Sequence, residues 1–237
     1  MSYDDFKLFP VSYSKLSKFE TCERQWMSQY ILRDIQFVDS PATVWGSDVH
    51  SAFDARFKTG EVLTDKFEAY EQYALALEKQ ATGSRLESEY ELVVDADEKQ
   101  TAWDSPTAHL RGRSDVQIFY TDGRCLIFDH KTGKRKLSDE LEFFAMLTFM
   151  IHPEVHTVKT IFAWYKEVDE SGRCKMDSRI YKRDELPEMR DKFLAKIAKI
   201  ERALEYDDFP KRRSGLCKNY CGSPTCSNSG AFKKEKK

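Results

Sequence analysis

An α/β domain with a central mixed sheet and helices on its faces is the fold class this sequence predicts. Three observations carry it. Apolar residues keep helical spacing up to residue 83, and then "LESEYELVV" alternates strictly. Two strand-like runs, "AHLRGRSDVQIFY" and "RCLIFDH", are joined through Asp122-Gly123 in "TDGR". The chain has 237 residues, 41% hydrophobic and 13% aromatic, enough for one such domain and a small appendage.

The elements follow in order. "VSYSKLSKFETCERQWMSQYIL" reads as one helix with Ser12 or Ser14 as N-cap. "TVWGSDVHSAFDARFKTG" reads as a second, closed by Gly60. A third, "TDKFEAYEQYALALEKQA", sets Phe67, Tyr70, Tyr73 and Leu77 at helical spacing. In the first strand, Leu86, Tyr90, Leu92 and Val94 fall on one face and Glu87, Glu89 and Glu91 on the other. After the "TDGR" hairpin a helix starts near Ser138 and runs through "DELEFFAMLTFMI". "HTVKTIFAWYKEV" and "CKMDSRIY" form a second hairpin turned at "DESGR". The last long helix spaces Leu186, Met189, Phe193, Ile197, Ile200 and Leu204 by 3, 4, 4, 3 and 4. The chain divides into an N-terminal helical region (1–83), a core (84–209) and a cysteine-rich segment with a basic tail, "KKEKK" (210–237).

Bulk properties exclude several classes. Charged residues reach 33%, yet the net charge is −2, so a uniformly basic nucleic-acid coat is absent while a local patch is allowed. No apolar run approaches about 18 residues, and "MSYDDFKLFP" lacks the features of a signal peptide. A cytoplasmic protein with no membrane partner is expected. Six cysteines in that compartment favour metal or cluster binding over disulfides, with Cys125 and Cys174 serving as small core residues.

Asp115 in "GRSDVQI" and Asp129 in "IFDHK" approach each other if their strands pair around the turn. Two close carboxylates repel unless protonated or bridged by a cation, and a hard divalent cation is the usual bridge. Lys131, two residues beyond Asp129, points to the same face. It can hold or help deprotonate a metal-activated water for attack on a phosphodiester.

Together, Gly112-Arg113-Ser114-Asp115 and Asp129-His130-Lys131-Thr132-Gly133 resemble the GxxD and DxKTG strands of the PD-(D/E)XK nucleases. The resemblance is to their RecB-like branch, which includes CRISPR adaptation nucleases, AddB-like proteins and phage exonucleases. It implies a restriction-endonuclease-like core, metal ligation by Asp115, Asp129 and the backbone carbonyl of His130, and a catalytic Lys131. The branch's GxxxH pattern matches Gly46 to His50 and implies His50 as a further ligand. It often carries a glutamate on the preceding strand; Glu87 and Glu89 both qualify, and Glu89 is carried as the site residue. One departure stands out. Where the branch has glutamine and, four residues on, tyrosine, this chain has Glu140 and Phe144.

Cys217, Cys221 and Cys226 form C-x₃-C-x₄-C, and Cys22 is the only early cysteine. Three clustered thiols need a fourth ligand for Zn²⁺ or a [4Fe–4S] cluster, and spacing leaves both open. The resemblance implies the cluster, because its iron–sulfur members place one cysteine before the nuclease motifs and three after. Either group would clip the first helix to the C-terminal appendage. Arg111, Arg113, Lys134 and Arg135 are candidate DNA contacts, and Trp26, Tyr30 and Trp45 are candidates for base stacking or for core packing.

The reading is a Mg²⁺- or Mn²⁺-dependent deoxyribonuclease, an exonuclease in recombination, repair or phage DNA processing. Its expected partners are single-stranded or end-bearing duplex DNA and a separate helicase or annealing protein. A non-catalytic DNA-binding accessory protein and an RNA-directed nuclease are the alternatives.

Overall fold

The structure, a computed structural model, describes residues 10–35 and 39–232. The basic tail "KKEKK" lies outside them. The chain forms two compact units, Asp39–Asp191 and Met1–Val38 with Lys192–Lys237. The sequence segments 1–83, 84–209 and 210–237 divide the chain by its motifs; these units divide it by packing.

The larger unit holds a five-stranded sheet in the order β1 (Arg85–Asp95), β2 (Ala108–Phe119), β3 (Arg124–Lys131), β4 (Thr157–Val168) and β5 (Cys174–Lys182). β3 and β4 pair in parallel and the other neighbours antiparallel, so the sheet is mixed as expected. The parallel step needs a crossover, and α5 (Glu140–Ile151) supplies it. Its residues from Leu141 to Phe149 are all buried, which explains why its apolar pattern is continuous rather than amphipathic.

The opposite face carries α3 (Pro41–Thr59) and α4 (Glu71–Gln80). Val49 and Phe53 of α3, with Tyr73 and Leu77 of α4, bury against Val116, Ile118, Leu126 and Phe128 of the sheet. Ser40 caps α3 by accepting from Thr43 N–H at 3.1 Å, Pro41 opens it, and Gly60 closes it at φ 77°. Arg56, 5% exposed, ties the two helices through Glu71 and Glu78 at 2.8–3.2 Å. The expected third helix begins as a 3₁₀ segment, Asp65–Tyr70, before α4 proper.

β1 departs from simple alternation. Ser88 donates to Asp54 of α3 at 2.5 Å, whereas Tyr90 bonds His152 beyond the end of α5 at 2.9 Å. Residues two apart thus face opposite sides. Leu86 packs into the α3/α4 core, while Leu92 sits opposite Gly112, which faces Phe144 and Leu147 of α5. The expected shared face of Leu86, Tyr90 and Leu92 is therefore corrected. The cause is Glu89, whose φ of 49° reverses the pleat. β2 reverses at the same level, because Gly112 faces α5 and Val116 faces α3.

The smaller unit contains α1 (Tyr13–Thr21), α2 (Glu23–Met27), a π-helical turn (Ser28–Leu32) and α7 (Cys217–Tyr220); α6 (Leu186–Glu205) starts in the larger unit and continues into it. The single first helix expected from the sequence is broken at Cys22, which is extended (φ −165°, ψ 112°) and serves as N-cap of α2. Arg24 N–H then donates to the Pro210 carbonyl at 3.3 Å, a partner that local periodicity cannot reveal. Trp26 is fully buried, edge-on to Phe19 and stacked on Phe209, so it packs a core rather than a base. No helix among the described residues is long and apolar enough to cross a membrane.

Gly112 marks a close approach. A Cβ there would lie 2.6 Å and 2.9 Å from Phe144 ring atoms. Gly112→Ala is expected to destabilise the fold by about 1–3 kcal/mol, because buried Phe144 and Leu147 must shift. A urea denaturation series checks this through a lowered midpoint at unchanged slope.

Candidate active site

β2 and β3 pair only from Phe119 and Cys125 to Val116 and Phe128. Beyond that point the strands open, and Asp115 and Asp129 stand at the opening. Asp115 accepts the His130 backbone N–H on Oδ2 at 2.6 Å and meets His50 Nδ1 through Oδ1 at 3.0 Å. His50 reaches it because α3 lies close to the end of β3: a Cβ on Gly46, one turn earlier, would sit 3.2 Å from Thr132 Oγ1.

Glu89 completes the group. One ligand atom from each of His50, Glu89 and Asp115 lies within 4.8 Å of the others. The left-handed backbone that reverses β1 presents this carboxylate, so the residue at the kink is also the residue at the site. Glu87 instead pairs with Arg85 at 3.3 Å, which separates the two glutamates the sequence left open.

Asp129 is 3% exposed. Lys131 Nζ lies 2.8 Å from Asp129 Oδ1 and 2.8 Å from Glu140 Oε2. Only the Glu140 contact has hydrogen-bond geometry, so Asp129 Oδ1 is a buried oxygen without a directed donor. Asp129 is not among the three converging ligands. The His130 side chain, 1% exposed, turns away: it stacks on Phe53 at 3.8 Å and bonds Tyr165 Oη at 2.5 Å. Those contacts fix the ring, and with it the N–H aimed at Asp115.

The electrostatics follow from burial and crowding. Burial and the neighbouring Asp115 hold the Asp129 carboxyl well above the ordinary range, while Asp115, despite the same desolvation, is held low by His50. Burial and Asp115 also raise Glu89. For His50, desolvation acts downward, but the Asp115 hydrogen bond and the surrounding carboxylates carry it up to about 8. Burial pushes His130 down to about 3, so its ring is neutral. Lys131 is desolvated too, yet Asp129 and Glu140 raise it, and it stays an ammonium. Three hard carboxylates, one of them Asp129 with a buried oxygen, and an imidazole suit an oxophilic divalent cation such as Mg²⁺ or Mn²⁺.

An open cleft of about 720 Å³ leads to the three ligands, with Lys58 and Arg113 on its lining. Arg113 pairs with Glu91 at 2.6 Å. Its guanidinium and that of Arg111 lie 4.6 Å and 4.4 Å from the Trp103 ring centre. Trp103 was not singled out from the sequence; an aromatic just ahead of two arginines on one strand was the available signal. Arg135 is fastened to Asp177 by bonds of 2.7 Å and 2.5 Å, so it anchors the β3–α5 loop to β5, and Lys134 lies in that same exposed loop.

All four cysteines outside the core, Cys22, Cys217, Cys221 and Cys226, belong to the smaller unit and are free thiols. Cys22 sits at the α1–α2 break and Cys217 opens α7. The C-terminal segment folds back on α2 through Ser223 Oγ to Ser28 Oγ at 2.5 Å and Arg24 to Thr225 at 3.3 Å. Among the described residues, no three of these sulfurs converge within 4.8 Å. Cys125 and Cys174 are buried in the larger unit, as their strand positions suggested.

Glu89→Gly is expected to separate stability from ligation. It removes a left-handed strain of about 1 kcal/mol and a carboxylate beside Asp115. Its urea midpoint should rise while Mn²⁺ affinity, read by calorimetry, should fall.

The profile of the PD-(D/E)XK nuclease superfamily matches residues 10–226. No curated protein matches the chain in sequence. Among solved structures, a candidate exonuclease from Eubacterium rectale is similar at 13% identity and TM-score 0.53, over 100% of this chain and 92% of that one. LHK-Exo in complex with dAMP is similar at 13% identity and TM-score 0.46, over 86% of this chain and 94% of that one; the related LHK-Exo structure is of an alkaline exonuclease from Laribacter hongkongensis. With its profile match covering most of its length and a five-stranded mixed sheet carrying acidic residues and a lysine at one end, the chain belongs to the PD-(D/E)XK nuclease superfamily.

Proposed function

We propose that this nuclease is a Mg²⁺- or Mn²⁺-dependent deoxyribonuclease that degrades DNA from strand ends. The observation that carries the reading is the convergence of His50, Glu89 and Asp115 beside a buried Asp129 and a charged Lys131. His50, Glu89, Asp115 and Asp129 would hold the cation. When bound, it supplies Lewis acidity toward a phosphoryl oxygen and lowers the pKa of a water.

The chain's own groups do the rest. Lys131, kept as an ammonium by Asp129 and Glu140, donates to the phosphate and offsets charge that builds there. This favours an electrostatic role over that of a general base. His130 N–H holds Asp115 in place, and the Phe53–His130–Tyr165 stack holds His130. Arg113 and Arg111, braced by Trp103, are suited to receive the sugar–phosphate backbone at the cleft. Among the described residues Arg111 forms no ion pair, and Arg113 is paired with Glu91.

Cys22, Cys217, Cys221 and Cys226 would hold a [4Fe–4S] cluster, with Zn²⁺ as the alternative; one cysteine before the nuclease motifs and three after them is the order that supports the cluster. The cluster would fasten the C-terminal segment to α2 and contribute folding free energy.

End-labelled linear DNA should be degraded with Mn²⁺ while closed circles survive. Lys131→Met should lower kcat by about 10²–10³-fold without lowering the melting temperature. Circles cut as fast as linear DNA would remove the end requirement, and parent-level cleavage by the variant would displace the site. Anaerobically purified protein should carry iron and absorb broadly near about 400 nm. Colourless protein with stoichiometric zinc would refute the cluster.

A further inference from the structure

We infer that Glu140 is a positioning residue for the metal site: it gives the Lys131 ammonium a second counter-charge beside Asp129 and so frees the Asp129 carboxylate to join His50, Glu89 and Asp115 around the cation. The inference rests on the metal-nuclease reading above.

Strand geometry creates the difficulty that Glu140 resolves. Asp129 and Lys131 are two apart on β3, so their side chains share a face and meet. An ammonium seated on a ligand carboxylate competes with the cation for it, and both positive charges cannot use the same buried oxygen at no cost. Here the contact between Lys131 and Asp129 is 2.8 Å but not directed, whereas the contact with Glu140, also 2.8 Å, is a hydrogen bond. Asp129 Oδ1 is left buried and without a directed donor. The lysine stands between the two carboxylates at equal distance, with its directed hydrogen bond to Glu140.

Glu140 is well placed to hold it. It is the first residue of α5, where the helix end favours negative charge, and Ser138 Oγ accepts its backbone N–H at 3.2 Å. The ammonium therefore keeps a counter-charge when Asp129 turns to a cation, and it remains in the site where a phosphate would arrive. Among the described residues, a neutral side chain at position 140 would leave Asp129 as the one carboxylate in ion-pair contact with Lys131.

The test is Mn²⁺ binding without nucleic acid, by calorimetry and by electron paramagnetic resonance, on four proteins: the parent, Glu140→Gln, Lys131→Met and the double variant. Glu140→Gln should weaken Mn²⁺ about tenfold in the parent. With Lys131→Met already present, the same change should cost no more than about twofold, since no ammonium remains to fall back on Asp129. An equal loss in both backgrounds would reduce Glu140 to a general source of negative potential and overturn the inference, as would unchanged affinity in Glu140→Gln. Should the neutral variant fail to fold, Glu140→Asp, with its charge one methylene farther away, should give an intermediate loss that also depends on Lys131; a loss independent of Lys131 again overturns the inference. A parent that binds no Mn²⁺ would instead bring down the metal-nuclease reading on which all this rests.

Discussion

Asp115 and Asp129 are brought side by side by main-chain pairing that stops at Val116 and Phe128, not by any attraction between their carboxylates. Backbone hydrogen bonds along β2 and β3 thus force like charges together in a place that desolvates both. Left alone, such a pair raises one carboxyl pKa and stores free energy. The neighbouring cations and hydrogen-bond donors can be understood as a response. His50 and the His130 N–H take Asp115, Lys131 stands beside Asp129, and the cation that would bind completes the neutralisation.

The scaffold carries that load through close packing and local strain. Gly46 and Gly112 let α3 and α5 approach the sheet where any side chain would intrude. Glu89 accepts a left-handed backbone that reverses the pleat of β1, and β2 reverses beside it. Strain of this kind persists where surrounding packing over-determines it, and here it delivers a carboxylate. The neutral His130 ring, clamped between Phe53 and Tyr165, converts an aromatic core into a fixed hydrogen-bond donor for the site.

The smaller unit follows a different logic. Its segments are joined by short polar contacts, Ser28 with Ser223 and Arg24 with Thr225, around a compact aromatic core of Phe19, Trp26 and Phe209. The break at Cys22 is the local cost of placing a cysteine and a free N–H where the C-terminal segment returns. Four thiols in one unit are a reasonable provision for a stabilising metal group where the apolar core is small.

The sequence by itself determined the mixed sheet, its two hairpins, the helix between them and the candidate residues Asp115, Asp129, Lys131 and His50. Those features rest on local signals: period-two and helical spacing, Asp122-Gly123 at a turn, and motif residues at fixed offsets along single strands. Other features depended on partners far away in the chain. Alternation put Tyr90 with Leu86, but a single left-handed residue at Glu89 turned them apart. Periodicity joined α1 to α2, but a carbonyl at Pro210 supports the break. Glu140 read as a mere departure from a familiar pattern until the crossover helix set it 2.8 Å from Lys131. Arg135 read as a candidate DNA contact until β5 brought Asp177 to it. Which residues carry charge could be read along the chain; which charges answer one another was decided only when the sheet and its helices closed.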